Sequence, residues 1–365
     1  MIDEILTRYD KIYPISIDLP GAGFGAMLLI TMNQLRFSER NNFYPVVAFD
    51  AACQNAFFDK NYGNNMWYQY FEPVMPLSSE KLQSSEIKDT EKLFKQTSQA
   101  AIDVSETDPD SIYPYPFGKW RFEQMKDLDG WYALQRQKGR ETIARYIKPK
   151  AAITTQVNAF YDKNLKGSFV LGVHIRGTDL HYAPPVSPAE YFEPIGEYLV
   201  KHPDLKILLA TDQKQYIEIF KQKFGNKVYF TNSFRSDNEI APFNRTELSP
   251  FQKGEDVLLD ILLLAKSDFL IKGASNVGEM AMYFNNNLQC LDLAYKKTKA
   301  YGQRYDKRWD NMTNLPAWKL VSKKGLKEIA QDAFLQNKPQ EFMYELRKLT
   351  KRVRVGLGRV KNLFK

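Results

Sequence analysis

Apolar and polar positions along the chain fall into short runs of apolar residues alternating with helical segments. Residues 12–19 (Ile-Tyr-Pro-Ile-Ser-Ile-Asp-Leu) predict a short strand, followed by a Gly-rich turn at 21–25 and a helix from Ala26 to about Arg40. Tyr44–Phe49 reads as the next buried strand and ends at Asp50. Residues 51–118 are irregular and rich in Asn, Ser, Pro and aromatics, and 131–165 read as helical with a break at Pro149. A second ladder then begins. Strands are predicted at Phe169–Ile175, Leu205–Ala210, Lys227–Phe230 and Asp268–Ile271. Helices are predicted at Pro188–Lys201 with Ser187 as cap, Gln213–Phe224, Gly254–Lys266 and Ser275–Phe284. Such β-α alternation predicts parallel, doubly wound sheets and an α/β fold class.

Length and charge refine this picture. At about 100–200 residues per domain, 365 residues suggest two domains with a boundary near 165. The N-terminal α/β domain would be 1–165, the second 166–300, with 301–345 as a helical segment packing back and 346–365 as a tail. The net charge is +8, yet eight basic residues and no acid lie between Arg347 and Lys365, so the body is neutral. Global charge therefore gives no support to a nucleic-acid partner. No apolar run reaches the ~18–20 residues that span a bilayer, since Val257–Ile271 is interrupted by Asp260, Lys266 and Asp268. The acidic start, Met1-Ile2-Asp3-Glu4, does not read as a signal peptide, and two cysteines give neither a disulfide framework nor metal spacing, so a cytoplasmic location is expected.

Chemistry concentrates where strands end. The 169–175 strand yields His174, Arg176, Thr178, Asp179 and His181 within eight residues, a costly series unless those groups have partners. Arginine's fork suits phosphate oxygens; the structural alternative is an Arg–Asp pair with a core histidine. Thr211-Asp212 follows another strand, and Gly273-Ala274-Ser275-Asn276 opens a helix whose N-terminus suits an anion, although Ser275 also reads as a simple cap. Gly21-Ala22-Gly23-Phe24-Gly25-Ala26 matches the dinucleotide fingerprint, with Asp50 ending the next strand, which keeps an NAD(P)-dependent oxidoreductase open as an alternative. The aromatics at 66–71 and 113–117 read either as core or as a sugar-stacking wall, and with the tail they leave a non-catalytic sugar-binding membrane-surface module as a third reading.

Taken in order, His174-x-Arg176-x-Thr178-Asp179, Leu209–Asp212, Leu259-Asp260-Ile261 and Ser267–Leu270 through Ser275 resemble the α1,6-fucosyltransferase family, and Gly21–Gly25 is similar to its Gly-x-Gly-Phe-Gly turn. The resemblance covers 170–285 well and 15–50 loosely. It implies a GT-B-like fold of two Rossmann-type domains, GDP-fucose as donor, inversion at the anomeric carbon, and no cofactor or metal. It further implies donor contacts from His174, Arg176, Asp212, Asp260, Ser275, Asn276, Gly23 and Phe24, with His174 and Asp260 on guanine or ribose and Arg176 on the β-phosphate. Gly177 stands where animal members carry a second arginine, which directs attention to Lys272 or Arg245. The family's acceptor base also lacks its carboxylate here, leaving His181 and then Asp179 for catalysis. The expected acceptor is a bacterial surface polysaccharide or its lipid-linked precursor.

In the tail, Leu346, Leu349, Val353, Leu357, Val360 and Phe364 recur at helical spacing among basic residues, which predicts a cationic amphipathic helix on an anionic inner membrane face, against the bland reading of a solubilising tail. Truncation before Arg347 is expected to release the protein from anionic liposomes in co-sedimentation; unchanged sedimentation overturns the membrane assignment.

Overall fold

The computed structural model describes residues 2–18, 21–53, 55–79, 92–115, 127–178, 186–238 and 240–295. The predicted 301–345 segment and the 346–365 tail lie outside the described residues. Two compact units divide the chain: Met1–Pro116 with Met125–Lys296, and Phe117–Gln124 with Lys297–Lys365. The elements below all belong to the first.

The N-terminal part carries α1 (Ile2–Leu6), β1 (Lys11–Ile15), α2 (Phe24–Arg40), β2 (Phe43–Val47), α3 (Trp67–Tyr70), α4 (Ser98–Thr107), α5 (Leu128–Tyr146) and α6 (Ala151–Asn164). It continues through β3 (Val170–Ile175), α7 (Phe192–Lys201), β4 (Lys206–Thr211), α8 (Lys214–Phe224), β5 (Val228–Tyr229), α9 (Pro250–Ala265), β6 (Phe269–Lys272), α10 (Asn276–Phe284) and β7 (Gln289–Asp292). β1 and β2 pair in parallel, and Leu93 adds a parallel bridge to Ile12 on the other side of β1. The second sheet has the order β5-β4-β3-β6-β7, all parallel. The fold class is α/β, as the alternation of the sequence predicts.

Local chemistry explains most boundaries. The predicted helix at 131–165 is two helices, because Ile147–Lys150 with Pro149 leaves the helical path. Ser187 and Glu190 form a capping box, with the Ser187 N–H donating to Glu190 at 2.8 Å, but the first turn after it is 3-10 and α7 proper begins at Phe192. α9 starts at Pro250 rather than Gly254: Ser249 caps it by accepting from the Gln252 N–H, and Pro250 fills the first helical position. The sequence pattern misses β7, whose Gln289–Asp292 residues lack a fully buried apolar run. At β3 every side chain is buried, as a central parallel strand requires.

One hydrophobic cluster runs through both sheets, joining Phe24, Trp67, Tyr70 and Phe71 to Leu258, Leu264, Met280 and Tyr283. The aromatics Trp67, Tyr70 and Phe71 are fully buried, so they are core and not a sugar-facing wall. Tyr113 is buried too, while Phe117 lies outside the described residues. Tyr70 also ties the halves together, its hydroxyl sitting 2.9 Å from the Phe57 carbonyl and 3.0 Å from that of Phe251 on α9.

Gly254 on α9 faces that ring: a methyl group there would stand 2.7 Å from Tyr70 Cε1 and closer still to its hydroxyl. Helix propensity alone favours alanine over glycine by about 1 kcal/mol. Because the Tyr70 ring is fully buried and cannot yield, Gly254→Ala is expected to destabilise the fold by about 1–3 kcal/mol, measured by urea unfolding; a stabilised variant overturns this packing account.

Candidate functional site

The strand order places a topological switch point between β3 and β6, since the chain moves outward from β3 to β4 and β5 and returns to β6 on the other side. The carboxyl ends of these strands are where open α/β sheets bind ligands. His174, Arg176 and Thr178 come from the β3 end, Asp212 from the β4 end, and Ser275 and Asn276 from the β6 end. The structure brings these predicted residues to one rim.

At the β3 end, Asp212 organises the loop. Its carboxylate accepts from the Gly177 N–H at 2.8 Å and from the Thr178 hydroxyl at 2.6 Å, and it stands 3.5 Å from Arg176 Nε. Asp212 thus positions the Arg176 loop. Gly177 has a steric reason. A methyl group there would lie 2.8 Å from the Tyr216 ring and closer still to Gln213, so a side chain at that position would require these neighbours to shift.

His174 is 5% exposed, and its Nδ1 makes no hydrogen bond. Burial, then the positive charges of Arg176 and Lys272, push its pKa down to about 3, so the ring is neutral at physiological pH. Its carbonyl accepts from the Tyr191 hydroxyl at 3.0 Å, which fixes the strand end.

At the β6 end, Ser275 caps α10 by accepting from the Val277 N–H at 3.3 Å, so the bland capping reading holds. Asn276 Oδ1 is buried and unpartnered. Beneath this turn lies a four-charge cluster. Lys272, only 1% exposed, bonds Glu279 at 2.7 Å and Asp292 at 2.5 Å, and Glu279 also takes a two-point contact from Arg136 at 2.9 and 3.1 Å. Burial works against the Glu279 charge, but Lys272 and Arg136 outweigh it and hold its pKa at about 2. Lys272 is therefore committed to the interior and is not the extra phosphate cation that the sequence suggested.

The Gly-rich turn joins this rim. A methyl group on Gly25 would stand 2.8 Å from Asn276 Cβ, so the N-termini of α2 and α10 meet at van der Waals range. Phe24 does not face a ligand with its ring: it is 2% exposed and packs edge-on against Phe57 and Tyr70. Gly23 lies against Phe243 of the β5–α9 connection. Asp50 accepts from the Ala52 N–H at 2.9 Å in its own turn. Asp108 and Asp110 pair with Arg40 and Arg36, the latter at 2.7 Å.

Asp260 belongs to a second polar group that sequence reasoning saw only in part. It accepts from Thr231 at 2.8 Å, while Arg235 donates to the Thr231 and Ser233 carbonyls at 2.8 and 2.6 Å. Burial pushes the Asp260 pKa up to about 6, with Arg235 and Thr231 opposing. Thr231 and Arg235 carry no sequence signal, because the connection after β5 has no periodicity. Asp179 and His181, the expected catalytic groups, lie outside the described residues.

The predicted residues thus gather at the switch point of a parallel α/β sheet, beside the N-terminus of α10. No family model matches the chain. It is 25% identical over 137 residues to nodulation protein Z of Sinorhizobium fredii (strain NBRC 101917 / NGR234). That stretch is 34% of this chain and 42% of the relative, so the match spans about two fifths of the curated protein's length. Among solved structures it is similar to NodZ alpha-1,6-fucosyltransferase soaked with GDP-fucose, with 15% identity, a TM-score of 0.45 and coverage of 75% of this chain and 93% of that one. It is also similar to POFUT1 in complex with GDP-fucose, with 10% identity, a TM-score of 0.45 and coverage of 76% and 97%.

The His174 shift has a definite sign. A folded-state pKa near 3 against about 6.5 when unfolded means that the unfolded chain takes up the proton first. The stability that neutral His174 contributes is complete above pH 6.5 and declines as pH falls toward 3, by at most about 1.4 kcal/mol per pH unit. Asp260 acts oppositely between pH 6 and 3.8, so the readout is the difference between variants. His174→Asn is expected to lose less stability than wild type between pH 6.5 and 5 in chemical denaturation; parallel curves would contradict the buried neutral ring.

Proposed function

We propose that this chain is an inverting glycosyltransferase that moves fucose from GDP-fucose to a hydroxyl of a bacterial surface polysaccharide or its lipid-linked precursor. The observation that carries the reading is the convergence of Arg176, His174 and the N-terminus of α10 at the β3/β6 switch point. The family resemblance of the same residues and the match to nodulation protein Z support the choice of donor.

The geometry suits transfer from a nucleoside diphosphate sugar. The acceptor oxygen forms the new bond to the anomeric carbon as the bond from that carbon to the β-phosphate oxygen breaks, and the electron pair leaves with the diphosphate. The acceptor proton passes to a base, for which His181 and then Asp179 are proposed. Charge grows on the leaving diphosphate, and fixed cations and N–H dipoles stabilise it most when they need not reorganise. Arg176, its loop tied to Asp212, and the α10 N-terminus, seated on the Lys272–Glu279 cluster, meet that requirement. Neutral His174 adds no charge to the site, and it and Asp260 are proposed as the nucleoside contacts.

The oxidoreductase alternative rests on the Gly21–Ala26 turn, and Gly25 now has a structural reason: it admits Asn276. We further propose that the basic 346–365 segment holds the enzyme at the inner membrane face beside its acceptor.

The test is thermal stabilisation by GDP, GDP-fucose, GDP-mannose, UDP, UDP-glucose, NAD and NADP, without added magnesium. A ligand at 100 times its Kd stabilises by about 2.7 kcal/mol, well within reach of a melting curve. Shifts with GDP and GDP-fucose, lost in Arg176→Ala while that variant still folds and fails to transfer sugar, are the expected result. A shift with UDP species alone discards fucose, and one with NAD alone discards the transferase.

A further inference from the structure

The proposed reaction leaves two phosphates to be neutralised, and this inference rests on that reading. Among the described residues of the β3 end, Arg176 is the one cation: Gly177 is tightly packed against Gln213 and Tyr216, and Lys272 of β6 is paired inside the protein. The connection from β5 to α9 holds another cation, Arg245, whose side chain is 17% exposed.

Its surroundings place it on the same rim. Arg245 Nη2 donates to Ser236 Oγ at 2.9 Å and to Asn238 Oδ1 at 2.8 Å. The Ser236 N–H in turn donates to the Asp212 carbonyl at 2.8 Å, and the Asp212 carboxylate holds the Arg176 loop. Arg176 and Arg245 thus stand on two sides of one Asp212–Ser236 junction. Two residues before Arg245, Phe243 packs against Gly23, and Gly25 packs against Asn276. These contacts link the β5–α9 connection, the Gly-rich turn and the N-terminus of α10.

Arg245 is held but not neutralised. Its orienting partners Ser236 and Asn238 carry no charge. The carboxylates of Asp237 at 3.4 Å and Glu247 at 3.7 Å are solvent-exposed and offset its charge weakly. Arg245 Nε is buried with no hydrogen-bond partner, an unusual state for a charged donor. A fork held most closely by neutral acceptors, with exposed carboxylates at longer range and one donor unfilled, matches a phosphate oxygen.

We infer that Arg245 is a second diphosphate-binding guanidinium, which stands in for a second arginine beside Arg176 and reads the β-phosphate of a nucleoside diphosphate.

Calorimetric titration of the full-length protein with GDP and with GMP tests this, because only GDP carries the β-phosphate. Losing a charge-assisted contact makes Arg245→Gln bind GDP about 10- to 100-fold more weakly, while GMP affinity stays at the wild-type value. Arg245→Lys, which retains a cation, recovers part of the GDP affinity and serves as the folded comparison if the glutamine variant melts early. Wild-type GDP affinity in Arg245→Gln overturns the inference, and so does an equal loss for GDP and GMP, which would mark Arg245 as a loop brace only. A wild-type protein that binds neither nucleotide overturns the donor site itself, a failure distinct from that of Arg245 alone.

Discussion

Four buried charges on four elements set the geometry of the crevice. Lys272 on β6, Glu279 on α10, Asp292 on β7 and Arg136 on α5 sum to zero, and the central Lys272–Glu279 pair is fully buried. Such a cluster is weak evidence for stability, because desolvation offsets most of the attraction. It is stronger evidence for position: with any one partner misplaced, a charge would be left buried and unpaired, costing about 3–5 kcal/mol. α10 consequently has one allowed placement over the sheet, with Gly278 resting directly on Lys272 and His174. The Ser275–Asn276 turn inherits that placement, and Gly25 of α2 packs against it in turn.

This arrangement divides the crevice residues into those that hold and those that face outward. Asp212, Lys272, Glu279 and Tyr191 are held inside and bring loops to their places. His174, Asn276 and Arg245 each keep an unsatisfied buried polar atom. Leaving such atoms unbonded is unfavourable in the empty state, and that cost disappears when a ligand supplies the partner. The charge beneath also sets the ring's state. Lys272 cannot pair with His174 and instead raises the potential around it, reinforcing burial in keeping the imidazole neutral.

Much of this was legible in the sequence, for a specific reason. A central parallel strand must be apolar, so an apolar run that turns abruptly into His174-Ile175-Arg176-Gly177-Thr178 marks its carboxyl end. Helix caps at Ser187 and Ser275 were equally readable, since a small polar residue before an apolar periodic run has a local cause. What stayed hidden was long-range. Arg136 and Glu279 are 143 residues apart and nothing local marks either as a partner. Phe24 shares its motif with a phosphate-binding turn, yet its ring serves the core, because a Gly-x-Gly-x-Gly pattern does not encode which way its one side chain points. Asp212 is similar: sequence places a carboxylate at a strand end without saying which loop it will hold.

Gly177 shows how packing can redirect chemistry. Gln213 and Tyr216, from α8 and its leading turn, approach so closely that a side chain beside Arg176 would require them to shift. On the proposed reading, a diphosphate leaving group needs its charge met, and a single guanidinium meets only part of it. The β5–α9 connection reaches the same junction from the opposite side, through Ser236 and the Asp212 carbonyl. On that reading, a cation on this connection in place of one beside Arg176 avoids the mutual repulsion of adjacent arginines. It also makes the second cation depend on the register of a connection that has no regular structure of its own. Asp256 from α9 fixes that register by accepting from the Phe234 N–H at 2.9 Å. Both connections thus share one arrangement, a carboxylate holding the backbone of a loop that carries an arginine, Asp212 for Arg176 and Asp256 for the segment before Arg245.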